Sequence, residues 1–212
     1  MAADIAELIE TTVSPILMDH ALKGPPQGHW TVAHWERLPE DEYRYELIDG
    51  KLYMTTSPSF FHQWIVGALI EHLGIPARQR NLGIWAAAPI GVILSQRDAV
   101  QPDFLFIRAA RVAELVHDRR IHGAPDLVVE VLSPGNSAEE MANKRAMYAR
   151  GGVAEYVEVD PATRTLLHYA RTNDAYDAPA IYAEDRTVGF ACLPELALAV
   201  AMLFAGAPDT TL

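Results

Sequence analysis

Residues 126–132 read DLVVEVL, an almost continuous apolar run that a single internal charge, Glu130, interrupts. A run of this length and composition is typical of a strand that is covered on both faces of a sheet. A carboxylate in such a place costs several kcal/mol unless it is paired with a cation or binds a metal ion. Glu130 is therefore the first candidate for a functional residue.

The segments around this strand predict a mixed α/β chain. Ser137 and Glu140 form a capping-box pattern, which predicts a helix that ends at Gly151-Gly152. Asp49-Gly50 lies between alternating apolar residues and predicts a β-hairpin with a type I′ turn. The other predicted elements are helices over residues 31–38, 57–73 and 111–117, strands over 84–88, 90–94 and 103–107, a second hairpin over 155–169, and a C-terminal helix from Pro194. This order predicts a mixed central sheet flanked by helices, with additional β-hairpins.

The length of 212 residues predicts about one domain. Half of the residues are hydrophobic and 21% are charged, which is ordinary for a globular protein and excludes disorder as the main state. Gly24-Pro25-Pro26 follows a weakly amphipathic segment and breaks any helix there. We therefore expect an N-terminal arm over residues 1–30 and a single domain over residues 31–212.

Charge and cysteine content restrict the class of protein. The formal net charge of −11 argues against tight, non-specific coating of nucleic acid, because that binding depends on many contacts from lysine and arginine to phosphate. The single cysteine excludes an intramolecular disulfide and a cysteine-rich metal site. No apolar run reaches the roughly 18 residues that span a bilayer, and residues 1–22 lack the basic start of a secretion signal. These features predict a cytoplasmic protein without membrane contact.

Two further residues point to a metal site. Asp103 follows Pro102 at the start of a predicted strand, so its carboxylate could meet that of Glu130 on a neighbouring strand. Oxygen ligands with open water positions suit Mg²⁺ or Mn²⁺ rather than zinc. Lys144 lies between apolar residues on one face of the predicted helix. A lysine beside a metal–carboxylate pair could hold an attacking water or stabilise charge on a phosphate.

Each candidate also has an ordinary structural explanation. Asp103 could be a turn residue at a strand start, Lys144 a surface side chain, and Glu46 a solvent-facing residue of the first hairpin. Two-residue alternation places Asp126 on the same strand face as Glu130, which makes Asp126 an extra ligand or a rival of Asp103. We favour Asp103, because Asp126 is too close to Glu130 in sequence to come from a separate strand.

Five segments together resemble the Uma-two family of restriction endonuclease domains, within the PD-(D/E)XK nuclease superfamily. They are residues 43–50 (YRYELIDG), the helix that contains His62, residues 101–103 (QPD), residues 123–134 (GAPDLVVEVLSP) and residues 144–152 (KRAMYARGG). The resemblance runs in order from about residue 31 to residue 170. The first segment and the fourth are its specific parts.

The resemblance implies a restriction-endonuclease-like fold and metal-dependent hydrolysis of phosphodiester bonds in DNA. Carried over by position, it implies Glu46, Asp103 and Glu130 as the acids of the metal site, with Asp103 and Glu130 as ligands of Mg²⁺ or Mn²⁺. Leu132 stands where the superfamily motif has its lysine. The resemblance therefore implies that Lys144, on the following helix, assists the water.

Three residues near this site are candidates for substrate binding. His62 could contact a phosphate or only cap its helix, while Gln101 and Ser133 flank the predicted site. Residues 78–150 hold ten basic and eight acidic residues, so the acidity of the chain lies mostly outside the segment that carries the site. We therefore expect weak, metal-dependent contact with DNA.

Two expectations concern assembly and activity. Cutting both strands of a duplex generally needs two sites, and residues 1–30 could dock on a second chain, which together predict a homodimer. The competing hypothesis is a catalytically inactive nuclease-fold protein that acts as a binding or regulatory module. A serine hydrolase is disfavoured because the chain has no G-x-S-x-G motif.

Overall fold

The computed structural model describes residues 24–39, 43–55 and 57–208, and these contain five α-helices and fifteen β-strands. The helices are α1 (Val32–Trp35), α2 (Phe60–Leu69), α3 (Ile75–Gln79), α4 (Val112–Leu115) and α5 (Ala138–Gly151). The strands are β1 (Arg44–Ile48), β2 (Lys51–Thr55), β3 (Gly83–Ala87), β4 (Val92–Ser95), β5 (Asp98–Val100), β6 (Phe104–Arg108), β7 (Val116–His117), β8 (Arg120–His122), β9 (Leu127–Val131), β10 (Glu155–Asp160), β11 (Thr165–Thr172), β12 (Ala175–Tyr176), β13 (Ala180–Tyr182), β14 (Thr187–Phe190) and β15 (Leu193–Ala199). Within these residues, no helix has the length and apolar character needed to cross a membrane.

Two large sheets organise the fold. The seven-stranded sheet has the order β12-β11-β10-β9-β6-β3, and β13 pairs with β11 beside it. The six-stranded sheet has the order β2-β1-β5-β4-β8-β7. In the larger sheet β9 runs parallel to β10 and antiparallel to β6, so the sheet is mixed. This arrangement confirms the predicted mixed α/β fold, in which helices flank a mixed central sheet and additional β-hairpins are present.

Strand β9 is buried along its whole length, and its side chains alternate between two apolar cores. Leu127 and Val129 pack in the core that also contains residues of α2. Val128 packs in the core that contains Met147 and Tyr148 of α5. Each fully buried aliphatic side chain contributes about 1.5–3 kcal/mol, so both faces of β9 hold the fold together. The same alternation places Glu130 on the α5 side.

The first hairpin places Glu46 on that same side. Its turn has φ 48° at Asp49 and φ 70° at Gly50, which confirms the predicted turn type. A Cβ added to Gly50 would lie 2.8 Å from the carbonyl oxygen of Gly28, so the close approach also requires glycine. Ile48, two residues from Glu46 on β1, packs in the α5 core.

Residues 24–30, the described part of the predicted arm, contact this hairpin. The backbone N–H groups of Gly28 and Trp30 both donate to the carbonyl oxygen of Gly50, at 2.8 and 3.1 Å. The Gln27 amide exchanges two hydrogen bonds with the backbone of Leu52. Residues 1–23 lie outside the described residues, and the boundary at residue 30 stays a prediction.

The predicted C-terminal helix is wrong. Residues after Pro194 continue β15, which pairs with β14, and a 3₁₀ helix begins only at Val200. Leu193, Leu196 and Leu198 are buried while Pro194 is exposed, which is the pattern of a two-sided strand. Pro194 is not one of the residues of β15 that pair with β14, so its missing N–H removes no hydrogen bond between the two strands.

Three other predicted elements have different bounds. The helix expected over 57–73 continues through a π-helical turn, Ile70–Gly74, into α3, and this wider turn precedes the interruption that Pro76 imposes. The strand expected over 90–94 is one arm of a short hairpin, β4 and β5. The helix expected over 111–117 is confined to α4, because the residues that follow it pair with β8.

Candidate active site

The register of two neighbouring strands brings Asp103 and Glu130 together. Phe104 pairs with Val129 at the end of the β6–β9 ladder, so one residue further along Asp103 lies opposite Glu130. Directly opposed residues have Cβ atoms about 4.5–5.5 Å apart. The backbone N–H of Val131 donates to Oδ2 of Asp103 at 2.9 Å and fixes the carboxylate there. Both acids are 5% exposed.

Lys144 joins a third acid to this pair. Its Nζ lies 3.0 Å from Oε2 of Glu46 and 3.0 Å from Oε1 of Glu130. Burial alone would lower the pKa of Lys144, but the charges of Glu130 and Glu46 outweigh burial and raise it. Lys144 is therefore an ammonium group held between two carboxylates from different sheets.

The surroundings of Glu130 disfavour its charged form and raise its pKa. Burial raises its pKa to about 7, and the charges of Asp103 and Glu46 act in the same direction. Lys144 opposes this rise, as does the Tyr148 hydroxyl, which donates to Oε1 of Glu130 at 2.6 Å. The carboxylate thus shares one oxygen between two donors from α5.

Asp103 is held in the ionised form. Burial opposes ionisation, but the hydrogen bond and the electrostatic interaction with His62 lower the pKa of Asp103 below its ordinary value. Nε2 of His62 lies 3.0 Å from Oδ2, the same oxygen that accepts from Val131. On the other side, Nη1 of Arg44 lies 3.7 Å from Oδ1.

A divalent cation fits the oxygens that remain. Among the described residues, none donates a hydrogen bond to Oε2 of Glu130 or to Oδ1 of Asp103. Both acids line a cleft of about 430 Å³ that Glu46 and Lys144 also line, and we call it the acidic cleft. A set of carboxylate oxygens beside open space suits Mg²⁺ or Mn²⁺.

The three predicted substrate-binding residues all line the acidic cleft. The backbone N–H of Gln101 donates to Oε1 of Glu46 at 2.7 Å, and its side-chain amide donates to the backbone of Tyr45. Ser133 is exposed at the rim of the cleft. Nδ1 of His62 is buried and has no hydrogen-bond partner among the described residues. Gln101 thus holds Glu46 in place, while the predicted roles in substrate binding remain predictions.

Asp126 lies away from the acidic cleft. Its carboxylate accepts from the backbone and the guanidinium of Arg108, at 2.9 and 2.8 Å, and lies 3.0 Å from Nη1 of Arg111. Asp126 precedes β9, whereas Glu130 lies near the far end of that strand. These contacts explain Asp126 as a structural residue and support the choice of Asp103.

Asp126→Asn is expected to lower stability without removing chemistry from the cleft. The amide keeps part of the hydrogen bonding but loses the charge that pairs with Arg108 and Arg111, at a cost of about 1–3 kcal/mol. Urea unfolding measures this loss. A folded Asp126→Asn protein that had lost all metal-dependent activity would instead make Asp126 part of the site.

Sequence reasoning missed three residues that line or support the cleft. Glu140 and Tyr148 are spaced four residues on either side of Lys144, so the helical period already placed them on one face. Arg44 shares a face of β1 with Glu46 by two-residue alternation. The sequence therefore indicates that these residues share a face with Lys144 or Glu46. Only the three-dimensional position of Asp103 and Glu130 shows that this face lines the cleft.

Tyr148→Phe is expected to weaken activity about tenfold and to move the acid limb of the pH–activity profile to higher pH. Loss of a 2.6 Å hydrogen bond removes a donor that favours the charged form of Glu130, so the pKa of that acid rises further. Steady-state rates across pH measure the shift. An unchanged profile would mean that Tyr148 only fills the core.

The fold and the cleft together define a nuclease-like α/β protein, in which residues from both sheets and from α5 bring Glu46, Asp103, Glu130 and Lys144 together. The chain belongs to the Uma2 family, described as "Putative restriction endonuclease", whose model matches residues 32–201. No curated protein shows significant similarity to the chain.

A solved structure supports the same fold. The crystal structure of a putative nuclease belonging to DUF820 from Anabaena variabilis superposes with a TM-score of 0.70 at 20% sequence identity. The match covers 82% of this chain and 97% of the other. At this identity the likeness concerns the fold, and it confirms the predicted nuclease-like architecture.

Proposed function

We propose that the protein is a Mg²⁺- or Mn²⁺-dependent endonuclease that hydrolyses phosphodiester bonds in DNA. The observation that carries the proposal is the convergence of Glu46, Asp103 and Glu130 on one cleft, with Lys144 buried between two of them. Membership of the Uma2 family supports the same reaction class. The acids are oxygen ligands, and the cleft leaves space beside them for a phosphate.

The residues of the cleft divide the chemistry between them. Asp103 and Glu130 are the proposed metal ligands, each with one carboxylate oxygen that accepts no hydrogen bond from a described residue. When bound, the metal supplies Lewis-acid polarisation of the phosphate and makes a water more acidic. Glu46 holds Lys144 in position, and the ammonium of Lys144 can only donate hydrogen bonds. Lys144 therefore orients the attacking water or stabilises charge on a phosphate oxygen.

Positioning of Asp103 depends on its neighbours. His62 and Val131 both contact Oδ2, which leaves Oδ1 for the metal. Arg44 lies on the side of Oδ1 and adds a positive charge at the mouth of the cleft. A phosphodiester approaching this side meets Arg44 and Lys144, but the acids of the cleft outnumber these two cations, so attraction of the phosphate depends on a bound divalent cation.

A plasmid cleavage assay tests the proposal. Supercoiled DNA is incubated with the full chain in Mg²⁺, Mn²⁺ or EDTA, beside Asp103→Asn and, as a matched control, Asp126→Asn. We expect metal-dependent nicking by the wild type and by Asp126→Asn, and a loss of at least about 100-fold for Asp103→Asn. Equal cleavage by Asp103→Asn would disprove the assignment, and parallel reactions on RNA decide between the two nucleic acids.

Thermal melting with and without divalent cations distinguishes a metal-dependent nuclease from an inactive binding module. A cation that binds only the native state raises the melting temperature. An unchanged melting temperature in millimolar Mg²⁺ or Mn²⁺ would favour a catalytically inactive binding or regulatory module. Stabilisation together with cleavage supports the enzyme.

The homodimer is also a prediction, which light scattering checks. Two copies would present two clefts to the two strands of a duplex. A mass equal to the monomer at assay concentration would contradict it, and nicking of one strand would then be the expected product. The cytoplasmic location likewise stays a prediction from the sequence.

A further inference from the structure

A second group of potential metal ligands lies on the hairpin formed by β7 and β8. His117, Asp118 and His122 each offer one ligand atom, and these atoms all lie within 4.8 Å of one another. None of the three residues lines the acidic cleft. We propose that this His–Asp–His group binds a late first-row divalent cation such as Zn²⁺. The site is separate from the proposed nuclease centre.

The hairpin register brings the two histidines together. His117 pairs with Arg120 across the turn, so His122, two residues beyond Arg120, is the diagonal neighbour of His117 on the same face. Their rings are parallel within 7°, with centroids 4.2 Å apart. Imidazole binds a metal through a lone pair in the plane of the ring, so the exposed ring of His117 turns about its Cβ–Cγ bond to share one ion with His122.

The turn adds the carboxylate. Asp118 and Arg119 both have positive φ, at 50° and 64°, in a two-residue turn between β7 and β8. Oδ2 of Asp118 lies 3.0 Å from Nδ1 of His117. The turn therefore holds the Asp118 carboxylate beside both rings, with its ligand oxygen within 4.8 Å of a nitrogen of each.

His122 supplies an independent indication of a ligand. Its Nε2 atom is buried, and among the described residues it has no hydrogen-bond partner. A buried polar atom without a partner costs about 1–3 kcal/mol. The bond between His117 and Asp118 explains those two side chains as an ordinary surface pair, but it leaves this nitrogen unsatisfied. A cation shared by the group satisfies it.

The donor set selects the kind of cation. Imidazole nitrogens favour Zn²⁺, Co²⁺, Ni²⁺ and Cu²⁺, whereas Mg²⁺ prefers oxygen ligands alone. Three protein ligands leave one position of a tetrahedral zinc ion open to water. The site therefore differs from the acidic cleft in both metal preference and location.

Cobalt spectroscopy and zinc calorimetry on the untagged full chain test the proposal. Tetrahedral Co²⁺ with imidazole ligands has visible d–d bands, and millimolar Mg²⁺ competes for carboxylate-only sites. The variants are His122→Ala, Glu130→Gln for the cleft, and His29→Ala, which removes an exposed histidine elsewhere. Circular dichroism checks that each variant is folded.

We expect one equivalent of Co²⁺ with visible bands in the wild type, in His29→Ala and in Glu130→Gln. His122→Ala is expected to lose these bands and to bind Zn²⁺ at least about 10- to 100-fold more weakly, because loss of an outer hydrogen-bond partner alone has that effect. Unchanged binding by His122→Ala would overturn the proposal. Absence of the bands in the wild type, or their loss in Glu130→Gln, would also overturn it, and neither outcome depends on nuclease activity.

Discussion

Glu130→Gln is expected to reduce metal-dependent cleavage by at least about 100-fold while the protein stays folded. The substitution keeps the shape of the side chain and an oxygen that can accept from Lys144 and from Tyr148. It removes the negative charge and the second carboxylate oxygen, which no described residue occupies. Cleavage rates over a series of Mg²⁺ concentrations measure the loss, since a weakened ligand set also requires more metal.

The same substitution is expected to stabilise the metal-free protein at pH 8. The folded-state pKa of Glu130 is about 7 against an ordinary value of 4.5, so the fold favours the protonated form. The wild type therefore loses stability as the pH rises from about 4.5 to about 7, by about 3 kcal/mol at about 1.4 kcal/mol for each pKa unit. Because glutamine does not ionise, its advantage should be present at pH 8 and vanish near pH 4.

Glu158→Gln is the matched control for this experiment. Glu158 pairs with Glu130 across β9 and β10 and is equally buried, but Arg145 holds it at 2.7 Å and it does not line the acidic cleft. Its replacement should lower stability and leave cleavage by the folded protein in place. Loss of cleavage in Glu158→Gln, or its retention in Glu130→Gln, would contradict the proposed ligand set.

Local signals explain how much of the fold was predictable. The apolar run of β9, the Asp49-Gly50 turn and the cap at Ser137 each specify their element within a few residues, and the structure contains all three. The C-terminal segment after Pro194 has no such signal. Its few leucines fit a short helix as well as a strand, and only pairing with β14 decides between them.

The candidate site was predictable in its members but not in its contacts. An acid inside an apolar strand is visible in the sequence, and a second acid at the start of another strand suggests its partner. The bond from Tyr148 to Glu130 depends on the rotation of α5 about its axis, and the 3.0 Å contact from Lys144 to Glu46 depends on how two sheets face each other. Both contacts depend on tertiary packing, which no local sequence pattern specifies.

Lys144→Met is expected to have the largest effect on both stability and activity. Methionine fills a similar volume but leaves Glu46 and Glu130 as buried carboxylates without their shared cation. Removing one partner of a buried ion pair costs about 3–5 kcal/mol. Loss of a positive group that stabilises charge in the transition state costs about 10²- to 10³-fold in rate. Urea unfolding and cleavage of plasmid DNA measure the two effects.

Divalent cations should compensate for part of this loss, which separates an electrostatic role of Lys144 from simple packing. Mg²⁺ should raise the melting temperature of Lys144→Met more than that of the wild type, because the carboxylates have lost their other counter-charge. Adding Glu130→Gln to Lys144→Met should restore part of the lost stability, since the double variant buries one uncompensated charge fewer. Lys51→Met, at an exposed position of β2, should change stability by no more than about 0.5 kcal/mol and leave cleavage unaltered. Equal effects of Mg²⁺ on Lys144→Met and on the wild type would mean that the lysine does not neutralise the metal-binding acids.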